Sequence, residues 1–475
     1  MMSMRVPLPA FFLFFFFTGS LFAQKTWTLQ DCIDYALKNN IQVKMDELDA
    51  GLAQQQYRQG IANMLPGING SASDNYNYGH TVDPFTNKFI TKNTQNSSFG
   101  AGSSVVLFNG FRLQNIRRQY RYDFLSSRLN SEKSMNAVAL RVASAYMEVL
   151  YNMESAGIAE RDLDAAVLQR NRTKHLTEAG TLPKGELLSM EAQVASDELR
   201  LVDARNQLTL SLLTLSQLLE LPSSDGFTIE KPLIPAPAIN DSLPVPESII
   251  AIAEKNLPEI KMQEYKVQSA ERALAASFGN LAPRLSFTTN FGSGYSKDKT
   301  KTTGAVFSHN DTIGYTMTGQ DPVLTPRYDL INEPVSFGRQ VDDNFSKFYG
   351  FSLSVPIFNG WQAKTAVNRS KVQLEDARLA LQLSKNQLRK DIMQAYAEAG
   401  AASKKYAAAV ISTEAQKEAF KYASQKYGEG LIGSVDYAVA RNNLAKAESE
   451  LLKARYEHLF RMKILHYYMG EPLKF

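Results

Sequence analysis

Ser98-Phe99-Gly100-Ala101-Gly102-Ser103-Ser104-Val105-Val106-Leu107-Phe108-Asn109-Gly110 returns 250 residues later as Phe348-Tyr349-Gly350-Phe351-Ser352-Leu353-Ser354-Val355-Pro356-Ile357-Phe358-Asn359-Gly360. Both stretches alternate. Phe99, Ala101, Ser103, Val105 and Leu107 interleave with Ser98, Gly100, Gly102, Ser104 and Val106; Tyr349, Phe351, Leu353, Val355 and Ile357 interleave with Phe348, Gly350, Ser352, Ser354 and Pro356. A period of two reads as a β-strand. One apolar face backed by one small polar face suits a membrane barrel, apolar to lipid and polar to lumen. A half-buried soluble sheet alternates in the same way. The aromatic strand ends and an export leader, described below, favour the barrel.

Two further segments share the pattern. Leu285, Phe287, Thr289 and Phe291 alternate with Ser286, Thr288, Asn290 and Gly292, and Asn69, Ser71, Ser73, Asn75 and Asn77 line a polar face opposite Gly70, Ala72, Tyr76 and Tyr78. The expected strands are at about 68–78, 97–108, 284–295 and 347–358. The offset of 250 also maps Ala145-Tyr146 onto Ala395-Tyr396, Gly180 onto Gly430 and Pro222 onto Pro472. Upstream the offset is 217, mapping Asn39 onto Asn256, Val43-Lys44 onto Ile260-Lys261 and Pro66 onto Pro283. The chain is therefore read as an internal duplication, with repeats at 24–221 and 247–475. The second copy carries 33 extra residues between about 293 and 346, rich in Gly, Thr, Asp and Asn, which read as a long loop. Residues 222–246 hold six prolines, too many for a continuous helix, and read as a crossing linker with a short strand at Phe227–Ile229.

Behind each strand pair lies a long proline-free stretch. Residues 110–177 contain only Gly157 after the opening glycine, and 360–427 only Gly400. As one helix each would be about 100 Å long at about 1.5 Å per residue, which suits coiled coils rather than a globular core. The next helices, expected at 186–219 and 436–469, carry heptads. Leu187, Met190, Val194, Asp197, Leu201, Ala204, Leu208, Ser211, Leu215 and Leu218 step by three and four, and their equivalents run from Tyr437 through Ala440, Leu444, Ala447, Leu451, Ala454, His458, Arg461 and Leu465 to Tyr468. Such a seam packs helix on helix.

Four strands per chain cannot close, and open sheet edges are not tolerated in lipid. Copies must pool their strands. Two copies give eight strands, whose interior side chains fill; three give twelve, which leaves a conduit. The fold class expected is a mixed α and β membrane protein. Four transmembrane strands per chain would join a trimeric twelve-stranded barrel, continued by a coiled-coil barrel of long helices.

Composition is consistent with an envelope protein. Val6 to Phe17 is almost wholly apolar after a weakly basic start, and Leu21-Phe22-Ala23-Gln24 offers a cleavage site, so residues 1–23 read as a signal peptide. Without Arg5 the formal net charge falls from +4 to +3, which points to no polyanionic partner, so no nucleic acid is expected. Cys32 is the single cysteine, so no internal disulfide can form, and it reads as a small buried hydrophobe. After residue 23 no stretch is long and apolar enough for a membrane-spanning helix. The five histidines (His80, His175, His309, His458 and His466) are scattered, and no phosphate loop, metal spacing or catalytic constellation appears. No enzymatic activity, cofactor or metal is expected. Arg112, Arg117, Arg118 and Arg121 follow the first repeated strand, at a height where cations meet outer-membrane lipid phosphates; a solvated helix face reads equally well. Phe475 is a terminal aromatic of the kind that sorts barrel proteins, although it follows a helix.

The opening Trp27-Thr28-Leu29-Gln30-Asp31-Cys32-Ile33-Asp34-Tyr35-Ala36-Leu37-Lys38-Asn39-Asn40, the two Phe-Asn-Gly junctions and the two glycine turns at Gly180 and Gly430 resemble the TolC-like outer-membrane efflux proteins, over essentially the whole length after residue 23. The resemblance implies a homotrimeric export duct in the outer membrane with a large periplasmic part. It implies docking to a periplasmic adaptor held by an inner-membrane transporter, in an efflux or type I secretion system, with drug, metal and protein cargo all open. The docking tips would be Gly180, Thr181 and Leu182 with Gly430, Leu431 and Ile432; the apolar tip residues could instead plug their own turns. The periplasmic gate would use Asp436, Tyr427 and Glu186. Two family positions are changed, since the second gate acid falls on Val439 and the latch arginine on Ile432. The competing reading is a periplasmic coiled-coil scaffold without a channel, whose alternating segments would face water.

Overall fold

The computed structural model describes residues 26–82, 87–91, 93–224, 226–232 and 243–471. The expected leader at 1–23, Pro472, Phe475 and the centre of the proline-rich linker lie outside the described residues. In chain order the first half carries β1 (Thr26–Trp27), α1 (Leu29–Asn39), α2 (Ile41–Ala62), β2 (Gly67–Asn77), β3 (His80–Val82), β4 (Phe89–Thr91), β5 (Thr94–Phe108), α3 (Arg112–Glu178), α4 (Lys184–Leu218) and β6 (Thr228–Ile229). The second half carries α5 (Pro246–Asn256), α6 (Pro258–Phe278), β7 (Arg284–Ser296), β8 (Thr300–Tyr315), β9 (Pro322–Pro334), α7 (Phe337–Asp343), β10 (Ser346–Ser354), α8 (Gln362–Gly428) and α9 (Ser434–Tyr468). The long helices α3 and α8 have 67 residues each and their partners α4 and α9 have 35 each, so the two halves match in length.

Two units divide these elements. One takes residues up to 49, 127–262 and 382 onward; the other takes 50–126 and 263–381. In the second unit, strand order is β10-β7-β5-β2, antiparallel throughout. The register keeps the faces in phase. Ser71, Gly100, Gly292 and Ser346 share one row on the small polar face, and Val105, Phe287 and Phe351 share one on the apolar face. The Phe287 and Phe351 rings lie 5.0 Å apart. Among the described residues, strands β2 and β10 each pair on one side only, and β2 is exposed along its whole length.

The insertion differs from expectation. Instead of a loop, the chain builds the antiparallel hairpin of β8 and β9, with register shifts around Gly304, Ser308 and Gly314. Threonine, counted above as a loop residue, is also a good strand former. Thr300, Thr302 and Thr312 pair across the hairpin, as do Phe307 with Tyr328 and Ala305 with Leu330. The last strand differs too. β10 stops at Ser354, opposite Arg284, rather than running to 358. Pro283 precedes that partner and Pro356 lacks an N–H, so no ladder continues.

Local caps start the helices. Thr28 Oγ1 accepts from Asp31 N at 3.0 Å while Asp31 Oδ2 accepts from Thr28 N at 3.2 Å, a capping box on α1. Asn109 and Asn359 accept from Leu113 N and Ala363 N, both at 3.4 Å, so the repeated Phe-Asn-Gly is a strand stop and a helix cap together. At each junction the glycine and the following aromatic both take positive φ: Gly110 +64° and Phe111 +59°, Gly360 +61° and Trp361 +67°. The copies differ in space. A Cβ on Gly110 would meet the Ala282 Cβ at 2.4 Å, whereas nothing lies within 4 Å of one on Gly360. Gly110→Ala is therefore expected to lower stability by about 2–5 kcal/mol, from left-handed strain plus overpacking, and Gly360→Ala by about 1–2 kcal/mol from strain alone. Thermal unfolding of the detergent-extracted proteins checks the difference; equal losses would show that Ala282 yields freely.

In the first unit, α1, the middle of α3 and the end of α4 form one apolar core. Cys32, Ala36, Val142, Tyr146, Val149 and Leu215 are buried in it. The Tyr146 hydroxyl donates to Glu230 O at 2.7 Å, beside the parallel pair of β1 and β6. On α4 the heptad seam is inside: Met190, Val194, Asp197, Leu201, Ser211 and Leu215 are all buried.

Candidate functional site

The site with the most structure lies where α3 turns into α4 and α8 into α9. Each long helix ends on a glycine in the left-handed region, Gly180 at +75° and Gly430 at +72°. Thr181 N donates to Leu176 O at 2.9 Å and Gly180 N to Thr177 O at 3.0 Å; Leu431 N donates to Lys426 O at 2.8 Å and Gly430 N to Tyr427 O at 3.1 Å. This crossed pair satisfies the last helix carbonyls and needs a residue without a Cβ at the turn. The Thr181 hydroxyl adds a bond to Leu176 O at 2.6 Å.

The two turns face each other across a cleft of about 360 Å³ whose lining includes Thr173, Leu182, Glu186, Tyr427 and Ile432. Leu182 and Ile432 are half-buried, while Leu431 is 67% exposed. All three apolar tip residues line the cleft, Leu182 and Ile432 more deeply than the largely exposed Leu431. Asp436 is exposed in the first turn of α9, and Val439 is exposed where a second acid was expected.

Glu186 and Tyr427 both line this cleft. Each crosses between hairpins to a partner of its own. Glu186 Oε2 accepts from Ser434 N at 2.9 Å, so the first hairpin caps the start of α9. Gly433, the residue before that helix, has no side chain to offer as a cap. The Tyr427 hydroxyl lies 3.5 Å from Thr173 Oγ1, and its ring stacks on Tyr437 at 4.8 Å. α9 begins four residues past its turn glycine, which presents a free helix N–H to Glu186.

A second group went unassigned in the sequence. Asp197 of α4, 1% exposed, pairs its Oδ2 with Arg441 Nη1 of α9 at 3.0 Å. Its Oδ1 meets Arg200 Nη2 at 2.5 Å and accepts from Gln193 Nε2 at 3.1 Å. Arg441 also donates to the backbone carbonyl of Asp162 in α3. Burial pushes the Asp162 carboxyl above the usual carboxylate range, with Arg441 pulling the other way, and burial likewise raises the Tyr437 phenol. The available signal was the heptad itself, in which Asp197 is a charged residue on an apolar seam.

Among the described residues no group of three or more His, Cys, Asp or Glu is placed to hold a metal, and no helix is long and apolar enough to cross a membrane. What remains is a helical end whose cleft is lined by both apolar and polar side chains and is bridged by hydrogen bonds between the hairpins.

Residues 32–220 and 249–470 match the family model described as outer membrane efflux protein. The chain is 22% identical over 438 residues to the outer membrane efflux protein BepC of Brucella suis biovar 1 (strain 1330), covering 90% of this chain and 82% of that one. Its fold is similar to the outer membrane protein VceC of Vibrio cholerae, at a TM-score of 0.73 and 13% identity, covering 94% and 97% of the two chains. It is also similar to the open state of the MtrE outer membrane channel of Neisseria gonorrhoeae, at a TM-score of 0.70 and 18% identity, covering 94% and 89%.

Proposed function

The chain belongs to the outer membrane efflux protein family, which places it in the outer membrane with a large periplasmic part, and from that premise we propose that it is a passive export duct formed by three copies. The observation that carries the reading is the four-stranded sheet. Its register separates an apolar face from a small polar face, and its edge strands β2 and β10 each keep one unpaired side. In lipid those edges must be satisfied, and joining β2 of one copy to β10 of the next closes the ring. Three copies give twelve strands, an even number with room for a lumen. The helices support the same closure. Opposite its buried seam, α4 exposes Leu199, Val202, Leu210 and Leu213, a second apolar face suited to a neighbouring copy.

The exposed Leu431 and the turns around Gly180 and Gly430 would dock a periplasmic adaptor, which links the duct to an inner-membrane transporter. The contacts of Glu186 and Tyr427 across the cleft would hold the two hairpins together and keep the periplasmic end shut until docking. Asp436, exposed in the first turn of α9, would add repulsion between copies at the entrance and favour opening. The mass of the protein in mild detergent tests the assembly. Three chains per particle are expected; a stable monomer or dimer would overturn the twelve-strand reading.

A further inference from the structure

The tip contacts are not the only ones between hairpins. Eleven residues past Glu186 on α4, about 16 Å along the helix, Asp197 meets Arg441 of α9. Arg441 also reaches the Asp162 carbonyl of α3, so a single guanidinium ties α9 to both helices of the other hairpin. Beside it Gln193 Nε2 and Arg200 Nη2 reach Asn442 Oδ1 of α9 at 3.4 and 3.2 Å. The surrounding seam is apolar: Met190, Val194 and Leu201 are buried on α4 and Ala447 on α9.

A buried ion pair in such a seam is poorly explained by stability. Replacing both charges with apolar side chains of similar size is commonly neutral or stabilising, whereas removing one partner is costly. The best-attested use of a polar layer between helices is to fix which faces meet and at what register. Here the layer joins elements that would have to part for the entrance to widen.

We propose that Asp197 and Arg441 form a second lock between the two hairpins, set back from their tips, which must break before the hairpins can separate. The proposal rests on the reading that hairpin separation opens the duct. It makes Arg441 and Asp197 positioning residues for the tip cleft: while they hold, Glu186 stays on Ser434 N and Tyr427 beside Thr173. Arg200 also contacts Asp197, so loss of Arg441 leaves that carboxylate with one cation while α9 keeps only the exposed Asn442 contacts at this level.

The test uses the full chain extracted in detergent and reconstituted in planar bilayers. Asp197→Leu with Arg441→Leu is expected to melt at or above the wild-type temperature and yet to show several-fold higher conductance. The exchanged pair Asp197→Arg with Arg441→Asp, made together with Arg200→Gln to remove the second cation beside position 197, is expected to return conductance most of the way to wild type. A double-leucine channel that is as stable as wild type and conducts no better overturns the lock. The tip variant Glu186→Ala with Tyr427→Phe, measured alongside, separates two failures. If it conducts more and the double-leucine variant does not, the lock is wrong and the gate reading stands; if neither conducts more, both fall.

Discussion

A chain carrying Leu431→Asp is expected to assemble and insert as the wild type does, yet to lose export. Leu431 is 67% exposed at the tip of the second hairpin and makes no core of its own, so replacing it should leave the fold alone. In a docked complex the leucine would bury against the adaptor, a contribution of about 1.5–3 kcal/mol. An aspartate there loses that contribution and adds the cost of desolvating an unpaired carboxylate. At about 1.4 kcal/mol per factor of ten, the two effects together predict docking weakened by more than about a hundredfold. The measurements are oligomer mass, co-purification with the adaptor and transport by cells holding the complete system. Undiminished export would show that this tip is not the docking surface. Leu182→Asp is a poorer probe, because Leu182 is half-buried in the cleft and its replacement disturbs the cleft more than that of the largely exposed Leu431.

Glu186→Ala combined with Tyr427→Phe is expected to raise the conductance of the isolated channel strongly. The carboxylate of Glu186 accepts from the first backbone N–H of α9, a charge-assisted bond across the two hairpins worth about 1.5–3 kcal/mol. Summed over three copies this reaches about 5–9 kcal/mol, against about 5.5 kcal/mol to move a two-state equilibrium from about 1:99 to 99:1. Tyr427 adds less, since its hydroxyl is 3.5 Å from Thr173. Glu186→Gln should open the channel far less than Glu186→Ala, because its amide oxygen can still accept from Ser434 N. Equal conductance of the alanine double variant and the wild type would remove Glu186 and Tyr427 from the gate.

The same two residues show how far a sequence can be read. The resemblance brought Glu186 and Tyr427 to one place, and the fold does set both in one cleft. Their partners within the chain were not legible, because the donor to Glu186 is a backbone N–H that is free only once α9 starts at Ser434. The long helices were legible because nothing interrupts them: α3 and α8 are proline-free for 67 residues each. The hairpin of β8 and β9 was not. Its glycines and threonines look like a loop in composition, and its alternation is interrupted at the register shifts. The left-handed Phe111 and Trp361 were also invisible, since nothing in an aromatic residue announces a positive φ.

What the sequence determined by itself is everything set by near neighbours. The alternation over 98–110 and 348–360, the heptads of α4 and α9, the Asn109 and Asn359 caps and the turn glycines Gly180 and Gly430 each depend on contacts a few residues apart. What only the tertiary structure decided is which distant groups meet: Glu186 with Ser434, Thr173 with Tyr427, and Asp197 with Arg441. The partners in each pair are more than 240 residues apart along the chain. A periodic pattern states that a helix has a face to bury but not which helix will cover it, nor at what axial level. For an aspartate on an apolar seam that level is decisive, because a buried carboxylate is tolerated only where packing delivers a cation to it.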